Sequence, residues 1–205
     1  MLMLRLGKSS DLSQIERLAA ASPVGVTSLP ANRERLADIL TASQASMAEE
    51  VTFTGEERYF FVLEDTVSGD LVGCSGIIAA SGFRAPFYTF RNEMFVHASR
   101  ELGLHNRIHV LSLCHDLTGH SLLAGFHLAD TQSEPAAMQL TARGRLLFMA
   151  SHPQRFAEST SVEIVGVSDA DGNAPFWDAV GRHFFAVSYG EAERIGSERG
   201  RSFLA

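Results

Sequence analysis

Between residues 59 and 128 the chain is a succession of runs dense in β-forming residues, broken by turn residues and flanked by helix-like periodicity, which dictates a sheet with helices around it. Runs 59–66 and 71–80 are joined by Val67-Ser68-Gly69-Asp70 and read as an antiparallel hairpin. Further strands are predicted over 87–98, 108–114 and 121–128. Ahead of them lies a strand at 1–6, then Ser9, Ser10 and Asp11 as N-cap candidates for a helix with Leu12, Ile15, Leu18 and Ala19 on one stripe. A second helix starts near Asn32, with Leu36, Ile39, Leu40 and Met47 on its apolar face. Behind them the pattern predicts a helix over 132–152 stopped by Pro153, a strand over 162–167, and a short helix from Pro175. Phe60, Phe61, Phe148, Phe184 and Phe185 are core candidates, and Trp177 with Phe176 is expected to plug the last helix onto the sheet.

A chain of 205 residues with 45% apolar content can bury one good core, so a single domain over 1–205 is expected. The net charge of −7, with basic residues scattered, argues against a nucleic-acid partner, which would select a basic stripe. Cys74 and Cys114 sit inside apolar runs and read as reduced thiols. No apolar run approaches the roughly 18 residues of a spanning helix, and no secretory h-region follows the first strand. A soluble, cytoplasmic protein without a membrane partner is the expectation.

Six of the eight histidines crowd into residues 95–130, which raises the question of a metal. His105, His109, Cys114, His115 and His120 are ligand types at poor spacing. A strand through them would turn His109 and His115 to one face and Cys114 to the other, and no CxxC or HExxH unit occurs. No metal is expected.

Several segments carry a family resemblance. Thr27-Ser28-Leu29-Pro30, Phe61-Val62-Leu63-Glu64-Asp65, Val96-His97-Ala98-Ser99-Arg100-Glu101-Leu102, His115-Asp116-Leu117-Thr118-Gly119 and Pro175-Phe176-Trp177 resemble, in this order, segments of the arginine N-succinyltransferase family. The run HNRIHVLSLCHDLTG at 105–119 and the segment Gly144-Arg145-Leu146-Leu147-Phe148-Met149-Ala150-Ser151-His152-Pro153 are most similar to alpha subunits of that family. The resemblance implies an α/β, GNAT-type acyl-CoA N-acyltransferase fold, with a mixed, mostly antiparallel sheet flanked by helices. It also implies transfer of a succinyl group from succinyl-CoA to the α-amino group of L-arginine, with ornithine as the alternative acceptor, in arginine catabolism beside a beta subunit.

Two departures from the family pattern bear on that expectation. Single-chain relatives carry an Arg- and Gly-rich turn before the long helix, where backbone N–H groups hold the pyrophosphate of CoA. Here the matching positions read Ser133-Glu134-Pro135-Ala136-Ala137-Met138, and Pro135 removes one donor. A carboxylate about 6 Å from a phosphate at an effective dielectric near 20 opposes binding by roughly 2–3 kcal/mol, against about 0.3–1 kcal/mol from the helix terminus. Thr131-Gln132-Ser133-Glu134 also fits a capping box in which the helix satisfies its own end. The second departure is that the family's proton-donor histidine, in a Gly-Gln-Val-His-Pro segment, has no counterpart here. The chain is therefore expected to match the N-terminal portion of a longer family member.

Aminolysis of a thioester needs a base for the ammonium proton, a donor for the oxyanion and an acid for the leaving thiolate. In the superfamily the strand before the CoA helix opens against its neighbour and its backbone pairs with pantetheine, which makes Phe126 and Leu128 the cofactor-binding candidates. His97 and Glu163 stand at positions matching the family pattern and are candidates for base or proton relay. A structural hydrogen bond for His97 and an ion pair for Glu163 are the alternatives. Asp116 can meet a substrate guanidinium bidentately, or cap the turn Leu117-Thr118-Gly119. Arg91 can bind a carboxylate, or serve in a salt bridge. Two functional classes remain open: a catalytic N-succinyltransferase subunit, and an acyltransferase-like scaffold that stabilises a CoA-binding partner.

Overall fold

Five consecutive large side chains, Tyr59, Phe60, Phe61, Val62 and Leu63, suit a strand covered on both faces, and the computed structural model shows both covers. It describes residues 1–26, 28–55, 57–83, 85–129, 134–169 and 171–199. The chain opens with β1 (Leu2–Leu6), passes through α1 (Leu12–Ala21) and α2 (Arg33–Ala48), and enters the hairpin of β2 (Arg58–Asp65) and β3 (Asp70–Ile78). Then follow β4 (Thr89–Ser99), β5 (Leu104–Cys114), β6 (Ser121–Leu128), α3 (Pro135–Ser151) and β7 (Thr160–Val162). The C-terminal part holds a π-helical segment at Trp177–Gly181, α4 (Arg182–Phe185) and α5 (Tyr189–Arg199).

The main sheet has the order β1-β2-β3-β6-β7. Its pairs are antiparallel except β6 with β7. This is a mixed, mostly antiparallel sheet flanked by helices, as the family resemblance implies. Alternation along β2 divides the core between two layers. Phe60 and Val62 join Ile15, Leu18, Leu36 and Leu40 of α1 and α2. Tyr59 and Phe61 meet Phe148 and Met149 of α3 on the opposite face, and Leu63 meets Ala137. Gly144 lets α3 lie close on β1, since a Cβ there would stand 2.3 Å from Leu4 Cδ2.

The strands predicted over 87–98 and 108–114 form as β4 and β5 and pair with each other as a separate two-stranded sheet. Three expectations are corrected. The strand predicted over 162–167 ends at Val162, because the chain then leaves β6, and Ile164 and Val167 end 87% and 82% exposed. Helix α3 begins at Pro135, whose ring presets the first helical φ, with Glu134 as the residue before the helix and not the third within it. The capping-box register expected from Thr131 is therefore not adopted by Glu134, while Thr131 itself lies outside the described residues. Lastly, Trp177 does not plug a helix onto the sheet. It stacks on Phe185 at 5.7 Å, donates from Nε1 to the Val187 carbonyl and packs with Ala174 and Ala192, leaving Phe176 and Phe184 exposed.

Candidate active site

The site grows out of an irregularity in β6. Cys74 of β3 pairs with His127 and Gly76 with Ala124, so Gly125 and Phe126 together oppose Ser75 alone, which is a β-bulge. Gly125 makes it possible by taking φ +62°, a conformation other residues enter at a cost. The Cys74 thiol braces the bulge by donating to the Gly125 carbonyl at 3.7 Å. Burial pushes that thiol up to about 12, so it stays a protonated donor at neutral pH.

On its other edge β6 is paired only at its start. Ser121, Leu122 and Leu123 stand opposite Thr160, Ser161 and Val162, and the last rung is the Glu163 N–H donating to the Leu123 carbonyl at 3.0 Å. Beyond that rung the two segments diverge. The opening holds a cavity of about 740 Å³, walled by Gly125 and Phe126 on one side and Glu163 and Ile164 on the other, with Tyr88 and Tyr189 at its rim. Such a wedge exposes backbone hydrogen-bonding groups of β6 to an extended ligand, which can add to the edge as a strand would.

Arg145 of α3 also lines this cavity. It follows Ala137 and Thr141 on the buried stripe of the helix and is only 5% exposed. Its guanidinium lies 5.3 Å from the Phe126 ring centroid, and Nη1 makes long 3.4 Å hydrogen bonds to the carbonyls of Gly76 and Ala124. Burial lowers its pKa below the ordinary arginine value, though a guanidinium stays charged. The signal in the sequence is a cationic residue at i+8 on the stripe of small residues Ala137 and Thr141.

The other candidates divide. Phe126 and Glu163 share the cavity wall, Glu163 half-buried. Leu128 is on the same strand but packs into the core beside Leu63, Val72 and Ala137. His97 lies on β4, exposed, opposite Asn106. Arg91 and Asp116 find each other: Arg91 Nε donates to Asp116 Oδ2 at 2.9 Å, Nη2 bonds the same oxygen, and Nη1 reaches Glu93 at 2.9 Å. Arg91 holds both carboxylates below their usual range. Among the crowded histidines, His115 packs against Tyr88 with ring centroids 5.3 Å apart and planes tilted by 51°, and His120 Nδ1 meets Ser161 Oγ at 2.9 Å. Among the described residues no group of three His, Cys, Asp or Glu can hold a metal ion, and no helix is long and apolar enough to cross a membrane.

Comparison with known proteins places this geometry. The family model described as arginine N-succinyltransferase beta subunit matches residues 2–205. Arginine N-succinyltransferase subunit alpha of Pseudomonas aeruginosa is 60% identical over 205 residues, covering 100% of this chain and 61% of that protein. Subunit beta of the same organism is 36% identical over 197 residues, covering 96% of this chain and 57% of that protein. The solved structure of arginine/ornithine succinyltransferase subunit AI from Pseudomonas aeruginosa superposes with a TM-score of 0.91 at 60% identity, over 97% of this chain and 60% of that one. The chain thus spans about three fifths of the length of the relatives it matches. With the match running from end to end and the wedge beside β6 present, the chain belongs to the arginine N-succinyltransferase family.

Proposed function

We propose that the chain is part of an arginine N-succinyltransferase alpha subunit, moving succinyl from succinyl-CoA to the α-amino group of L-arginine in the cytoplasm, beside a beta subunit. The observation that carries this reading is the wedge that opens after the Leu123–Glu163 rung, next to the bulge at Gly125. The pantetheine arm would lie along β6, and the Phe126 backbone N–H would meet the oxyanion as it forms. Of the two proton-handling candidates, Glu163 is the one on the cavity wall, so we assign it the base. It takes the ammonium proton, the neutral amine attacks the thioester carbon, and as the C–S bond breaks the second proton shed by the nitrogen goes, through solvent, to the leaving CoA thiolate.

The test is arginine-dependent thiol release from succinyl-CoA. Glu163→Gln should lower kcat by about 10²–10⁴-fold, the usual range for general-base loss, while leaving the affinity for the donor in place. Thiol release that ignores arginine would overturn the reading. The scaffold reading keeps one observation in its favour: α3 starts with Glu134 and Pro135, where a phosphate would seek backbone donors. Calorimetry separates the two, since binding of succinyl-CoA only after a beta subunit is added supports the scaffold.

A further inference from the structure

A buried cation normally has an anion beside it, because removing a charge from water is expensive unless it is paired. Arg145 breaks that rule. Among the described residues no carboxylate lies within ion-pair distance of it, its Nε is buried without a hydrogen-bond partner, and Nη2 makes no hydrogen bond. Among the described residues the charge is compensated by two carbonyl contacts at the long limit and by the face of the Phe126 ring, none of them an anion. A residue needed only to tie down the bulge would be better served by a neutral donor, so the positive charge calls for a purpose. That purpose is visible in where the residue sits, on the wall of the same cavity as Gly125, Phe126 and Glu163.

We propose that Arg145 selects the acyl group, its guanidinium receiving the free carboxylate of a dicarboxylic acyl chain carried on CoA; this rests on the acyltransferase reading above. With the thioester at the Phe126 backbone, an extended succinyl chain carries its far carboxylate roughly 4–5 Å from the thioester carbon. The Arg145 guanidinium lies over the Phe126 ring, 5.3 Å from its centroid, on the wall of the cavity that such a chain would enter. With Nη1 on the bulge carbonyls and Nε buried, Nη2 is the nitrogen left to donate a charge-assisted hydrogen bond to the carboxylate. A monocarboxylic acyl group of equal length would fill the same space and leave the cation unpaired. The site therefore discriminates by charge, the kind of discrimination a buried polar group performs best.

The test compares succinyl-CoA with butyryl-CoA on the full-length protein and on Arg145→Met and Arg145→Lys, by calorimetry and by thiol release. Wild type should favour succinyl-CoA about ten- to hundredfold, as expected for a charge-assisted hydrogen bond. Arg145→Met should erase that preference while keeping butyryl-CoA, and Arg145→Lys should restore part of it. A melting temperature near wild type establishes that each variant is folded. Donor preference unchanged in a folded Arg145→Met overturns the inference alone. A loss that appears with L-arginine but not with agmatine, which lacks the carboxylate, also overturns it, by assigning the residue to the acceptor. Absence of CoA binding and of turnover in wild type would instead overturn the acyltransferase reading and take this inference with it.

Discussion

Strands β2 and β4 are both rich in aromatic and aliphatic side chains and end in opposite environments. In β2, Tyr59, Phe60, Phe61, Val62 and Leu63 are all buried, whereas in β4 Phe90, Met94, Phe95 and Val96 are each about half exposed. The difference is not composition but cover. β2 has a strand on each side and helices on each face, while β4 has only β5, along an eleven-rung ladder from Thr89↔Cys114 to Ser99↔Leu104. A lone two-stranded ribbon is marginally stable in water, so the arm depends on cross-strand pairs such as Phe90 with Leu113 and Phe95 with Ile108. The candidate residues divide along the same line: Phe126, Glu163 and Arg145 belong to the sheet and its wedge, and His97, Arg91 and Asp116 to the arm and its base.

The largest effect that would sharpen the comparison is in the sheet. Leu63→Ala should destabilise the protein by about 2–5 kcal/mol in chemical denaturation, since Leu63 is fully buried where α3 closes over β1 and β2. A loss below about 1 kcal/mol would mean the site collapses around the cavity and the two-sided packing is looser than described.

Next is the ion network that fastens the first helical turn to the sheet. Arg5 donates from Nη1 and Nη2 to Asp11 at 2.7 and 3.0 Å and from Nε to Glu64. Desolvation pushes the Asp11 carboxyl up, but the bonds from Arg5 and the Lys8 N–H outweigh it and hold it below the usual range. A carboxylate depressed in the folded state binds its proton more readily in the unfolded one. Its contribution is present above the unfolded value near 4 and is lost as pH falls through the lower folded value. Asp11→Asn should cost about 2 kcal/mol at pH 7, and the difference from wild type should shrink on acidification below about pH 4. A pH-independent gap would show that shape, not charge, is what Asp11 contributes.

Smaller still is the bulge. Gly125→Ala forces an L side chain to φ +62° and should cost about 1 kcal/mol. The added Cβ would lie 3.4 Å from Ser28 Oγ, an ordinary contact, so the strain is in the backbone. Any relaxation that flattens the bulge should weaken donor binding in calorimetry more than it lowers the melting temperature.

The β2–β3 hairpin and helix α1 were legible because runs dense in β-formers flank the turn at Val67-Ser68-Gly69-Asp70 and α1 carries its stripe at Ile15, Leu18 and Ala19. The arm's separation was not, since Phe90 or Val96 looks identical in sequence whether something covers it or not. Residues 162–167 misled for the opposite reason. Their apolar content fits a strand, but forming one would zip the wedge shut, and the fold leaves that edge open after Val162. Phe126 and Glu163 were found through family positions, not periodicity. Arg145 was visible as a charge on a buried stripe, but its significance depends on the absence of a counter-ion, which no single sequence displays.

The smallest expected effect is the one that can break the comparison. Met94→Ser and Phe95→Ser lie on opposite faces of the arm; the first should shift stability by no more than about 0.5 kcal/mol and the second, which loses the pair with Ile108, by up to about 1 kcal/mol. Arg91→Gln, which removes the exposed pair with Asp116, should be similarly mild, as side chains 53% and 49% exposed hold an ion pair that solvent screens. If these changes leave stability alone yet abolish arginine-dependent thiol release, the acceptor site extends from the wedge onto the arm, and Asp116 reaches the substrate guanidinium by exchanging it for Arg91. If they destabilise the protein as strongly as Leu63→Ala, the exposed face of β4 is covered in the functional assembly, and the contrast between the two sheets belongs only to this chain taken by itself.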